Sequence, residues 1–277
     1  MKTRIITGVV LALLLLIPAV IFTDTVFLPI VASLLAVIGV FEVMRCIGQE
    51  KNWLLTAPAY LLTAAAPFVC RYGDIGRLLM PALSLVLLLS MFYTLTLNVF
   101  FPDRTDCRTN SLGLLMTEYV AAGFSALCII ARYETSHFVL PVVFLAAFAT
   151  DIFALFSGML FGRHKLCPKI SPKKTVEGAI GGTVACVLFL LLYGLIVDKC
   201  TDYATSYRSL SIGGAVFAVV SQLGDLIASS VKRTFGVKDY GKLFPGHGGV
   251  MDRFDSVIPV AVAVAIMLIH FKVQFFY

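Results

Sequence analysis

Apolar residues run through this chain in long uninterrupted blocks, not in the alternation of a half-buried sheet. Nine blocks stand out: 5–22, 25–44, 54–70, 78–101, 112–131, 138–162, 175–197, 210–230 and 254–272. A helix needs roughly 20 apolar residues to cross the hydrocarbon core of a bilayer. Lipid offers no partner to unpaired backbone N–H and C=O groups, so each block predicts a helix. The expected fold class is an all-α polytopic integral membrane protein of about nine transmembrane helices. The third block carries Pro58 and Pro67 and the eighth carries Asp225. No internal repeat, low-complexity tract or soluble domain interrupts the pattern. The chain divides into an N-terminal transmembrane region, 1–137, of five spans, and a C-terminal region, 138–277, of four spans with polar loops at 163–174 and 231–253.

Composition agrees with this reading. Hydrophobic residues make up 59% of the 277 and charged ones 14%, with mean hydropathy +0.94. A soluble domain of this length has no means of hiding so much apolar surface. Lys2 and Arg4 precede an apolar run, but no small-x-small cleavage site follows Ile17-Pro18-Ala19-Val20, which predicts an uncleaved first span.

Charge sets the expected orientation. With the N-terminus in the cytoplasm, sixteen of the 22 Lys and Arg fall inside and six outside. Both rich polar loops then face the cytoplasm. The net charge of +6 sits mainly on that side, where it suits anionic headgroups or a nucleotide; no nucleic acid partner is expected. Seven cysteines occur without a Cys-x-x-Cys pair or zinc spacing. Cys70 and Cys200 both fall on the outer side.

Ionisable groups inside spans are costly and are candidate functional residues. Here they are Glu42, Glu118, Asp151, Glu177, Asp225 and Asp255. For Glu42 and Glu118 nothing nearby in the sequence completes a site, and a helix–helix hydrogen bond or a snorkelling end residue is the simpler reading. Asp151 lies deep in the sixth span and needs a partner. Asp225, Ser229 and Lys232 stand at i, i+4 and i+7, on one helical face that runs from the eighth span into the following loop. They suit either a self-neutralising stripe or one wall of a polar cavity.

The loop that follows is the most polar stretch of the chain. It holds Lys232, Arg233, Lys238 and Asp239, then Pro245-Gly246-His247-Gly248-Gly249, then Asp252, Arg253 and Asp255. Glycines allow backbone N–H groups to approach an anion closely. Asp252 and Asp255, at i and i+3, open the ninth span. With Asp225 they supply the carboxylates that a hard cation such as Mg²⁺ takes together with phosphate oxygens and water. A charged loop that merely sets topology explains the cations, but not a histidine between glycines nor aspartates at the membrane boundary.

The loop 163–174 ends in Ser171-Pro172-Lys173-Lys174. Ser171 and Pro172 predict an N-cap and first helical position for the seventh span. Lys173 and Lys174 would then sit in its first turn, where free N–H groups and two ammonium groups make a phosphate seat. Gly178, Gly181 and Gly182 are expected to be packing contacts. The chain lacks a Gly-x-x-x-x-Gly-Lys-Ser/Thr loop, a Gly-x-Ser-x-Gly elbow and a His-Glu-x-x-His pair. The residue set favours metal-assisted phosphoryl or nucleotidyl transfer.

The run Ser229-x-Val-Lys-Arg-x4-Lys-Asp-x-Gly-x2-Phe-Pro-Gly-His-Gly-Gly-Val-x-Asp-Arg-Phe-Asp255 resembles the signature of the phosphatidate cytidylyltransferases, or CDP-diacylglycerol synthases. Gln222-Leu-Gly-Asp225, Asp151-Ile-Phe-Ala and Ser171-Pro-Lys-Lys-Thr-Val-Glu-Gly178 are similar to family segments in the expected order. The resemblance covers about 149–256. Leu155 departs from it, standing where the family carries a tyrosine.

This resemblance implies the reaction of CTP with phosphatidic acid to give CDP-diacylglycerol and pyrophosphate, in a homodimer within the bacterial inner membrane, its site facing the cytoplasm. It implies Mg²⁺ as cofactor, with K⁺ or another monovalent cation beside it, held by Asp225, Asp252 and Asp255, and Lys232 paired with Asp225. Catalytic assignments on this reading are Lys232, Arg233, Asp225, Asp252 and Asp255. Substrate-binding assignments are Asp151, Ser171, Lys173, Lys174, Ser229, Lys238, Asp239, Gly246, His247, Gly248, Gly249 and Arg253. The competing readings are an archaeal-type enzyme acting on an ether lipid, an ion transporter using the intramembrane acids, and a catalytically inactive scaffold of the same fold.

Overall fold

The computed structural model describes residues 23, 25–73, 80–101, 106–244, 246 and 248–277. The expected first span, 5–22, lies outside them, as does His247. The described residues form nine helices and one short hairpin. The helices α1 (Phe27–Cys46), α2 (Trp53–Tyr72), α3 (Met80–Phe100) and α4 (Cys107–Ile130) come first. Next are α5 (Ser136–Phe161), the strands β1 (Lys165–Cys167) and β2 (Ser171–Thr175), α6 (Val176–Cys200) and α7 (Tyr207–Thr234). A single turn α8 (Met251–Phe254) and α9 (Val257–Ile269) complete the order. Six of these helices, α1, α2 and α4–α7, are long and apolar enough to cross a membrane. The chain is an all-α polytopic membrane protein, its outer surface set with exposed leucines and phenylalanines that a bilayer would cover.

The chain falls into two compact units. One holds the described residues of Met1–Ile129 together with Phe235–Asp252. There α1 packs on α2, and the buried faces include Ala36, Val40, Val43 and Met44. The intramembrane Glu118 of α4 accepts a hydrogen bond from Ser90 Oγ of α3 at 2.8 Å, the helix–helix contact expected for it.

The other unit is Ile130–Thr234 with Arg253–Tyr277. Its centre is the close pairing of α5 and α6, joined by α7 and α9. Small residues let the first two backbones approach. A Cβ on Gly182 would stand 2.7 Å from the Thr150 carbonyl oxygen and 2.9 Å from Ala154 Cβ. A Cβ on Gly178 would stand 2.6 Å from the Ala154 carbonyl oxygen. These glycines are packing contacts, as expected from their spacing.

Two expectations are corrected here. The segment 163–174 is not an open loop leading to a helix capped by Ser171. It is an antiparallel hairpin that pairs Lys165 with Thr175 and Cys167 with Ser171. The cap of α6 is Thr175, whose backbone is extended and whose Oγ1 accepts the Gly178 N–H at 3.1 Å. A residue before proline avoids the helical region, so Ser171 joins a strand as readily as it caps a helix. Lys173 and Lys174 therefore lie on β2 and not in a helical first turn. The expected ninth span, 254–272, is also broken. Only Val257–Ile269 is regular helix; at ~1.5 Å per residue it is about 20 Å long, short of the roughly 30 Å hydrocarbon core. The residues after it turn back. Phe275 and Phe276 are buried, and Phe276 pairs with Thr205 in an isolated bridge ahead of α7.

Candidate active site

The unit built on α5–α7 gathers acids and cations around the C-terminal half of α7. Asp225 leaves α7 and meets Lys174 of β2, with Nζ 2.6 Å from Oδ2. The hairpin is what delivers this lysine: Lys173 is exposed beside it, whereas Lys174 is partly buried. Ser229, one turn along α7, donates from Oγ to Asp225 Oδ1 at 3.1 Å. That contact realises the one-face spacing read from the sequence. Lys232 continues the same stripe and is only 8% exposed.

Two further acids assigned to the site from sequence belong to this unit. Asp255 occupies the break between α8 and α9, 8% exposed, and its Oδ1 accepts the Ser256 N–H at 2.9 Å. Asp151 projects from α5, and its Oδ2 accepts from Ser256 Oγ at 2.8 Å. Ser256 therefore ties the two acids together. Asp255 stands within the electrostatic reach of Asp225, Asp151 and Lys232. Asp151 likewise feels Asp225, Lys174 and Arg253. Gln222 reaches from α7 to α6, donating to the Ala179 carbonyl and to Thr183 Oγ1 at 3.3 Å each. Arg233 lies at the exposed end of α7 with Nε 3.4 Å from the Ile170 carbonyl oxygen. Ser171, on β2, makes no side-chain contact with the acids among those described above.

The other unit holds the glycine loop, where Lys238 and Asp239 are exposed. Asp252 Oδ2 accepts backbone N–H groups from Tyr240 at 2.8 Å and Gly249 at 3.0 Å, with Gly241 farther off at 3.4 Å. Gly246 and Gly248 have φ of 78° and 84°, a left-handed backbone that glycine adopts without a Cβ clash. The Phe244 N–H donates to the Gly248 carbonyl at 2.9 Å and closes the turn.

One residue here was not assigned to the site from sequence. Glu42, on α1, is 3% exposed and accepts the Met251 N–H at 3.0 Å. A Cβ on Gly241 or Gly249 would collide with its carboxylate. Arg45, one turn along, donates from Nη2 to the Tyr240 carbonyl at 2.8 Å. Glu42 is thus neither a helix–helix contact nor a snorkelling end residue. The available signal was an acid near the end of an apolar span with an arginine at i+3.

Among the described residues, no three His, Cys, Asp or Glu side chains are gathered closely enough to hold a metal ion by themselves. The donors are nevertheless carboxylates, with no thiolate beside them. Such a set suits a hard cation that takes most of its oxygens from phosphate and water.

Comparison with known proteins agrees with these features. The pattern described as the cytidylyltransferase family matches residues 2–271. The phosphatidate cytidylyltransferase of Staphylococcus saprophyticus is 33% identical over 270 residues, covering 98% of this chain and all of that protein. The Staphylococcus haemolyticus protein of the same name is 32% identical over 270 residues and the Staphylococcus aureus one 33% over 271, with the same coverage. A match that runs the length of both chains, together with the acid and lysine cluster and the glycine loop, establishes that the chain belongs to the phosphatidate cytidylyltransferase family of membrane nucleotidyltransferases.

Proposed function

We propose that the protein transfers the cytidylyl group of CTP to phosphatidate, giving CDP-diacylglycerol and pyrophosphate. An ionised phosphatidate oxygen attacks the α-phosphorus of CTP in line. The new P–O bond forms as the bond to the β-phosphate oxygen breaks, and pyrophosphate leaves with that electron pair. The attacking oxygen is already anionic, so no strong general base is required. The difficulty lies in bringing two polyanions together, which fixed charge and positioning relieve.

The observation that carries this reading is the Lys174–Asp225 pair amid Ser229, Lys232, Asp151 and Asp255. Lys174, Lys232 and Arg233 would neutralise phosphates, with Lys173 and Lys238 at the exposed margin. Backbone N–H groups of 246–249 would contact the nucleotide's phosphates. Asp225 and Asp252, supported by Asp255, would hold Mg²⁺, which when bound would offset phosphate charge. A monovalent cation such as K⁺ would sit beside it. The bias of lysine and arginine supports a site facing the cytoplasm, where CTP is, in a bacterial inner membrane. Phosphatidate would enter from the bilayer, and the working form would be a homodimer.

Purified protein, labelled CTP, phosphatidic acid and Mg²⁺ provide the test, read as lipid-extractable label. The expected result is CTP-dependent labelled lipid. Product with an ether-linked lipid alone would replace the diacyl substrate by the archaeal type. No lipid product with either would overturn the reading in favour of a transporter or scaffold.

A further inference from the structure

We propose that Glu42 is a positioning residue that holds the glycine loop in its nucleotide-binding shape; this rests on the reading that the loop takes the phosphates of CTP. The loop is stitched at its base from two sides. Asp252 Oδ2 takes the N–H groups of Tyr240 and Gly249, with Gly241 nearby. Glu42 takes the N–H of Met251, and its carboxylate rests against Gly241 and Gly249. The same two glycines are therefore held between two carboxylates. Their lack of a side chain is what lets Glu42 reach the backbone.

Arg45 completes the grip through the Tyr240 carbonyl at 2.8 Å. Glu42 and Arg45 are three apart on α1 and so share one face. Gly39, on the same helix, lies against Met251, where a Cβ would stand 3.6 Å from Sδ. This face of α1 thus fixes both ends of the loop base, 240–241 and 249–251. Burying an acid in an apolar span is costly unless it is hydrogen-bonded. Apolar packing alone could hold a loop to a helix. A carboxylate spent on backbone N–H groups also sets where the flanking N–H groups point, and that matters for an anion that binds backbone.

The test uses the full chain in detergent with Glu42→Ala and Glu42→Gln. Amide hydrogen exchange is read over 239–251 and over α5–α7, and steady-state KM is measured for each substrate. Glu42→Ala is expected to speed exchange in 239–251 alone and raise KM for CTP about tenfold, leaving KM for phosphatidate within about twofold. Glu42→Gln retains an acceptor for Met251 and is expected to stay within about threefold of the unaltered protein in both. Unchanged exchange in Glu42→Ala overturns the proposal. So does a rise in exchange throughout the chain with both KM values shifted alike, which marks general destabilisation. Faster loop exchange with an unchanged KM for CTP also overturns it. Absence of CTP-dependent product from the unaltered chain would instead overturn the proposed function, and the exchange readout would still report whether Glu42 holds the loop.

Discussion

Lys174 Nζ lies 2.6 Å from Asp225 Oδ2, joining a hairpin strand to a transmembrane helix. Both side chains are about a quarter exposed, yet Lys174 Nζ itself is buried against its partner. In the proposed reaction this ammonium would exchange its carboxylate for an incoming phosphate. Lys174→Met is expected to lower kcat/KM by at least about 100-fold, the scale of losing one charge-stabilising donor. Labelled-lipid formation checks this, and wild-type turnover in Lys174→Met would remove the lysine from the mechanism.

Asp252 separates chemistry from loop structure. Asparagine keeps a carbonyl oxygen for the Tyr240 and Gly249 N–H groups, so Asp252→Asn should insert and fold but lose CDP-diacylglycerol formation by about 100-fold or more. Asp252→Ala leaves those donors without this acceptor and should in addition lower stability by ~1–3 kcal/mol. Thermal unfolding in detergent beside the activity assay distinguishes them. Near-normal turnover in Asp252→Asn would rule the carboxylate out as a cation ligand.

The start of α6 gives a paired prediction. Thr175→Ala removes the side chain that caps the Gly178 N–H and should cost ~1 kcal/mol. Thr175→Ser should recover most of it. Ser171→Ala should leave the helix start unchanged. A larger loss of thermal stability in Ser171→Ala than in Thr175→Ala would place the cap where the sequence pattern first suggested.

Gly182 tests the packing of α5 on α6. Valine there must displace the Thr150 carbonyl or Ala154, and overpacking of this kind costs roughly 1–3 kcal/mol. Gly182→Val should therefore unfold at lower temperature. Since Asp151 shares α5 with both contacts, activity should fall with it. An unaltered melting temperature would mean that the helices part without penalty.

Much of the fold was legible because a span is a local property. The apolar blocks at 25–44, 138–162 and 210–230 became α1, α5 and α7 within a few residues at each end. The stripe Asp225–Ser229–Lys232 was legible for the same reason, being set by helical geometry alone. The hairpin was not. Its strands are three and five residues long, and their polar composition carries no apolar alternation to betray them. Lys174 was singled out, but its pairing with Asp225 depends on that hairpin. The break at Asp255–Ser256 was hidden by continuous hydrophobicity from Val257 onward. Glu42 was hidden more deeply, because its partner lies at the other end of the chain and no spacing rule connects them.

That separation has a consequence for biogenesis. The hydrogen bond between Glu42 and Met251 joins residues 209 positions apart. Synthesis delivers the glutamate first, and the amide that it will bind is made only after six more long helices, α2–α7, have emerged. A ribosome-bound chain therefore carries an intramembrane acid without this partner for most of its translation, exposed to whatever quality control patrols the bilayer. The base of the glycine loop cannot take its final shape before Met251 is made, and a truncated product that ends short of it leaves the carboxylate without this donor.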